Sequence, residues 1–204
     1  MKLRIALGAA LVAALVAATV TVVSASRGTV EEGTVYVFNT TNVVDGADAF
    51  LMRNNRGVLG WIHTNGLTPG NVYTVWWVTF ASPENCTGGA CGLDDVLAAA
   101  ADPDNDPVGV GVFYATGHQA SPDGSAYFAG FLRNGDTSDC VPAGDGPFVV
   151  LCNPLDDSHD AVVHMVIRDH GPPVPGQLAA QRSSFTGGCS AYACTNVQAA
   201  VFEP

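Results

Sequence analysis

Lysine is almost missing from this chain: the one lysine is Lys2, and with the arginines it makes 8 basic residues against 19 acidic ones in 204 positions. A protein with a net charge of −11 has no basic face with which to neutralise phosphates. That excludes nucleic acid and anionic membrane as partners and leaves cations, basic partners or simple solubility. Also missing are the short motifs that announce particular chemistries. There is no Cys-x-x-Cys for a zinc ribbon and no Gly-x-Ser-x-Gly elbow for an α/β-hydrolase nucleophile. No His-x-His of the copper-zinc superoxide dismutase kind occurs, nor a closely spaced Cys, His and Met group like that of a blue-copper protein.

Long apolar runs are confined to the start. Met1 to Arg4 is a short positive segment, Ile5 to Val23 is rich in Ala, Val and Leu, and Val23-Ser24-Ala25 places small residues where a signal peptidase reads. A signal peptide over residues 1–25 is expected, with cleavage near Ala25. The run also approaches the roughly 20 apolar residues of a membrane span, but the small-residue site and the polar stretch from Ser26 to Gly33 favour cleavage. The closing residues Val201 to Pro204 carry no apolar tail, so no second anchor is expected. Without Lys2 and Arg4 the remainder holds six arginines against 19 acids, a net charge of −13. Residues 26–204 suit a single secreted domain, expected to be a monomer, with a core large enough to be stable.

The six cysteines, Cys86, Cys91, Cys140, Cys152, Cys189 and Cys194, all lie in the exported part. An even number in an oxidising compartment reads as three disulfides. Proximity suggests Cys86 with Cys91, Cys140 with Cys152, and Cys189 with Cys194, among the roughly 15 pairings that six cysteines allow.

The pattern between them is one of β-strands. Leu67-Thr68-Pro69-Gly70 turns into Val72 to Phe80, a run of aromatic and β-branched residues apolar on both parities. A strand of that kind is covered on both faces, so it is expected at the centre of a sheet. Further strands are expected over Thr34–Phe38, Ala49–Arg53, Val58–Thr64, Val108–Thr116, Ala126–Leu132, Phe148–Leu151, Ala161–Asp169 and Asn196–Phe202. The Ser121-Pro122-Asp123-Gly124 turn would join two of them as a hairpin. Leu93 to Ala101 is the one helical stretch, with acids in its first turn. Gly171-Pro172-Pro173-Val174-Pro175-Gly176 is too proline-rich for a ladder. About nine strands with one short helix and no βαβ alternation predict an all-β, antiparallel β-sandwich of immunoglobulin-like or Greek-key type.

Three constellations could carry chemistry. Asp102, Asp104 and Asp106 alternate along a loop, a spacing that can turn several oxygens onto calcium. The loop departs from the EF-hand, because Pro107 replaces the turn glycine and Phe113 the bidentate glutamate. The bland alternative is an acidic loop closing a helix. The histidines are the second set: His164 shares a strand face with Val162, Val166 and Arg168, exposed or lining a groove, while His159 and His170 flank that strand. A copper or zinc site through His164 and His170 would need a ligand from another strand, such as His63 or His118; hydrogen-bonded histidines are the competing reading. Third, Asp156-Asp157-Ser158-His159-Asp160 crowds hydrolase-like residues together, yet neighbours on a loop seldom converge on one reacting atom, and no catalytic residue is singled out.

Four stretches together carry a resemblance. They are Leu67-Thr68-Pro69-Gly70 with Tyr73-Thr74-Val75-Trp76-Trp77; Tyr114-Ala115-Thr116-Gly117-His118; His164-Met165-Val166-Ile167-Arg168-Asp169-His170-Gly171-Pro172; and Cys189, Cys194 and Gln198. From about Gly57 onward the chain resembles a family of uncharacterised secreted bacterial proteins. The resemblance implies export and a β-sandwich, and no activity. The expectation is therefore a secreted, non-catalytic binding or surface module for an extracellular partner, without a cofactor. The alternatives are a metal-binding protein, through calcium or through histidine-bound copper or zinc, and a hydrolase on a β scaffold.

Overall fold

A computed structural model describes residues 28–141 and 151–204; the expected signal peptide and most of the expected strand at Phe148–Leu151 lie outside the described residues. The strands are β1 (Thr29–Gly33), β2 (Val35–Val37), β3 (Asp48–Asn54), β4 (Gly57–Thr64), β5 (Val72–Phe80), β6 (Val110–Gln119), β7 (Ala126–Arg133), β8 (Val162–Asp169) and β9 (Thr195–Phe202). Helix α1 (Leu93–Ala101) falls where the sequence predicts it, and a second short helix, α2 (Leu178–Ser183), precedes β9. The strands form two antiparallel sheets, ordered β1-β3-β4-β7 and β2-β9-β8-β5-β6. The fold is an all-β sandwich.

Strand β5 is flanked by β6 and β8, and all nine of its residues are buried. Its approach is a type II turn. Asn71 N–H donates to the Thr68 carbonyl, Pro69 supplies the fixed φ of the second position, and Gly70, at φ 77°, takes the left-handed third position. The Tyr73 hydroxyl accepts the Thr68 N–H and donates to the Asp169 carboxylate. Burial, then the Asp169 charge, push its phenol up to about 12.

Alternation divides β5 between two compartments. Tyr73, Val75 and Trp77 face the other sheet and meet Leu51, Ile62 and Phe128 in the core between the sheets. Gly60 makes this possible, because a Cβ there would stand 2.6 Å from the Trp77 ring and 2.7 Å from the Met165 sulfur. At the end of this core the guanidinium of Arg53, 1% exposed, pairs with Glu31 and donates to the carbonyls of Ser158, Ala161, Phe202 and Glu203. It thereby ties β1, β3 and the end of β9 together. Trp76, Val78 and Phe80 face the opposite way, into a second apolar layer beneath α1 and the loops around it.

The expected hairpin from β6 to β7 does not form. The Ser121–Gly124 turn is present, with Gly124 N–H donating to the Ser121 carbonyl, but it carries the chain from one sheet to the other: β6 pairs with β5, and β7 with β4. The reason is visible in β7, where Ala126, Phe128 and Leu132 are buried and Tyr127 and Phe131 are exposed. A strand apolar on one side and open on the other suits the four-stranded sheet, whose far face is open, and not the doubly covered one. On that open face Phe50 stacks on Trp61 and His63 on Tyr127, each at 4.4 Å between centroids.

The disulfides pair Cys86 with Cys91, Cys140 with Cys152, and Cys189 with Cys194. Cys140 and Cys152 each make an isolated bridge to β6, at Phe113 and Gly111, so this staple lies along the free edge of β6. No helix among the described residues is long and apolar enough to cross a membrane.

Candidate ligand cavity on the outer face of the five-stranded sheet

The second layer is not filled. Between the outer face of the five-stranded sheet and the segments that cover it lies a cavity of about 400 Å³. Trp76 and Val78 of β5, His164 and Val166 of β8, and Val201 of β9 form its floor. Leu93 and Val96 of α1 form one wall, Phe185 another, and the chain from Val37 to Thr41 a third.

Each wall is held by local chemistry. Helix α1 starts at Gly92, where the Asp95 carboxylate turns back to accept the N–H groups of Gly92 and Thr87. Burial works against the charge of Asp95, yet these amides hold its carboxyl below the usual carboxylate range. The Cys86–Cys91 bridge closes the loop just before this helix and packs into the same layer. The Val37–Thr41 rim is a tight turn in which Asn39 adopts a left-handed φ of 56° and both the N–H and the hydroxyl of Thr40 donate to the Val37 carbonyl. Phe185 stands edge-on to Trp76 at 5.2 Å between centroids. The Arg168 guanidinium lies 4.0 Å over the Phe185 ring and donates to the Phe185 carbonyl and to Asn196 Oδ1.

His164 is the polar exception in the floor. It is 9% exposed and packs against the Phe80 ring at 4.9 Å, and its Nε2 is buried without a hydrogen-bond partner among the described residues. Burial pushes its pKa down to about 4, so the ring is neutral at ordinary pH and carries one donor and one acceptor nitrogen. A buried polar atom without a partner costs roughly 1–3 kcal/mol; Nε2 is enclosed by protein, and the ring nitrogen left for a guest is Nδ1.

Of the other sequence-predicted ligands, His170 and Asp106 are used internally. His170 is fully buried and belongs to a chain of hydrogen bonds: Trp76 Nε1 donates to the Thr74 hydroxyl, Thr74 Oγ1 lies 2.7 Å from His170 Nε2, and His170 Nδ1 lies 2.8 Å from the Gly187 carbonyl. A carbonyl only accepts, so His170 Nδ1 carries the proton that it donates to Gly187. Cys189 and Cys194 sit beside it, all ligand-type atoms within 4.8 Å, but their sulfurs are spent in a disulfide and offer no thiolate to a metal. His170 and His164 are not gathered into one ligand group.

The acidic loop is divided. Asp102 and Asp104 are exposed, whereas the Asp106 carboxylate turns inward, accepting from the N–H groups of Val108, Gly109 and Val110 and from the Asn153 amide. The three carboxylates form no converging group, and Asp106 acts as the cap that starts β6. His63 pairs with Asp48, and His118 lies edge-on to Phe128. Ser158 is fully buried and donates its hydroxyl to the Asn54 carbonyl, which removes it from any nucleophilic role.

Sequence reasoning missed the cavity because its walls come from segments far apart in the chain. The one available signal was the doubly apolar character of β5 and of Val162, His164 and Val166 on β8, which requires something to cover the second face. Comparison with protein-family models, with curated proteins and with solved structures gave no match.

Proposed function

We propose that this chain is a non-catalytic binding module, exported to an oxidising compartment, that takes a small and largely apolar ligand into the cavity beneath α1. The observation that supports this reading most directly is the cavity itself: about 400 Å³, floored and walled mainly by aromatic and aliphatic side chains, with Asn39, Thr40, Thr41, Asn196 and His164 as its polar lining. That is the size and character of a ligand pocket. Export is supported by the three disulfides and by the start of the sequence. A binding role is favoured over catalysis because His170, Asp106 and Ser158 are engaged in structural hydrogen bonds and His164 has no second titratable group beside it in the cavity floor.

N-phenyl-1-naphthylamine, an uncharged fluorophore that brightens in apolar surroundings, tests the reading. The folded protein should bind it with one-to-one stoichiometry, and Ala199→Phe, which fills the cavity from β9, should abolish the signal while preserving the far-ultraviolet spectrum. Equal brightening with the two proteins would move binding elsewhere and overturn the proposal.

A further inference from the structure

The lining narrows the chemistry of what can enter. Neither arginine nor any carboxylate borders the cavity, and the titratable groups among its lining residues are His164 and Tyr36. Burying a carboxylate, a phosphate or an ammonium there would leave a charge without a partner, which is far more costly than burying a neutral group. The net charge of −11 weighs further against anions. A wholly apolar guest would fill the space but leave the ring of His164 unsatisfied.

Resting on the reading of the cavity as a ligand site, we infer that its ligand is an uncharged amphiphile, an apolar body with a single hydroxyl that hydrogen-bonds to His164. A hydroxyl both donates and accepts, so it complements Nδ1, the ring nitrogen that protein does not enclose, in either tautomer. The contact is a specificity device: a ligand whose hydroxyl pairs with the ring is favoured over one of equal size that cannot pair with it. Because the ring is neutral, the bond is of ordinary neutral strength, and the preference it creates is modest.

Three probes of nearly equal size separate the possibilities: 1-octanol, 1-fluorooctane, which replaces the hydroxyl with a poor acceptor, and octanoate, which replaces it with a charge. Affinities are read near neutral pH by displacement of N-phenyl-1-naphthylamine from the wild type, His164→Leu, His164→Gln and Ala199→Phe. The wild type should bind 1-octanol about tenfold more tightly than 1-fluorooctane, and prefer it to octanoate by more than that. His164→Leu should bring 1-octanol and 1-fluorooctane to within about twofold of each other, and His164→Gln, which keeps a hydrogen-bonding group, should restore part of the preference. Equal affinity for 1-octanol and 1-fluorooctane in the wild type, tighter binding of octanoate, or a preference that survives His164→Leu would overturn the inference. If Ala199→Phe still blocks all three probes in that case, the cavity reading stands without it. Probe binding that Ala199→Phe leaves intact, or no binding of any probe, would overturn both.

Discussion

The two faces of the five-stranded sheet are built from the same strands and differ in what they enclose. The inner face closes on the four-stranded sheet, with Trp77, Met165 and Ile167 fully buried and Gly60 removed as an obstacle to the Trp77 ring. The outer face, carrying Trp76, His164 and Val166, is covered by α1, two loops and Phe185, and a cavity remains. Sheet against sheet is a continuous, repetitive contact that interdigitates well. One short helix with irregular loops matches a sheet less closely, and what it leaves unfilled is available to a guest. The staples follow the same division: none of the three disulfides joins the two sheets, and each clips a loop or edge that the ladders do not hold.

Truncating the two adjacent tryptophans is the sharpest way to break this contrast. Trp77→Ala should cost about 4–5 kcal/mol in urea unfolding, because the closed core cannot collapse onto the void, whereas Trp76→Ala should cost about 3 kcal/mol because its ring already borders open space. Equal losses would mean that the two layers are packed alike.

Acid should act on the outer layer through His164. Its pKa is lowered to about 4 in the folded protein against an ordinary 6.5, so the unfolded chain takes up a proton that the folded one refuses. The stability that follows is fully present above pH 6.5 and is lost as the pH falls towards 4, by about 3 kcal/mol in all. His164→Leu should remove that part of the decline, and a pH profile identical to that of the wild type would show that the ring is not buried neutral.

Smaller still is the effect of the staple over the cavity. Replacing Cys86 and Cys91 with serine opens a short loop and should cost about 2 kcal/mol. It should also loosen the start of α1, raising amide hydrogen exchange at Val96 while leaving β4 and β7 protected. Uniform loss of protection across both sheets would deny that the layers are separable.

The ladders of this fold were legible in the sequence where pattern and partner coincide. Strand β5 and helix α1 fall where periodicity and the Pro-Gly turn put them, and short spacing alone indicated the disulfide partners. Strand β1 was not legible, because Thr29-Val30-Glu31-Glu32 has no apolar alternation and owes its place to the ladder with β3 and to Arg53. Helix α2 is too short for a periodic signal and rests on Gln181, whose amide donates to the carbonyls of His170 and Pro172 and accepts the Val174 N–H. The residue types for chemistry were visible, but not their engagements. The Asp106 carboxylate is held by three backbone amides and both His170 ring nitrogens have neighbours, and neither engagement leaves a mark in the residue pattern. His164 had the right face but no visible cover, since α1 and Phe185 lie far from it in sequence.

Binding in the unfilled outer layer can be read residue by residue from backbone and methyl NMR of the wild type titrated with 1-octanol. Saturable shifts should be confined to Val78, Val96, His164, Val166 and Val201, around the Trp76 ring. Shifts centred instead on Phe50, Trp61, Tyr127 and Phe131, the open aromatic face of the other sheet, would contradict it.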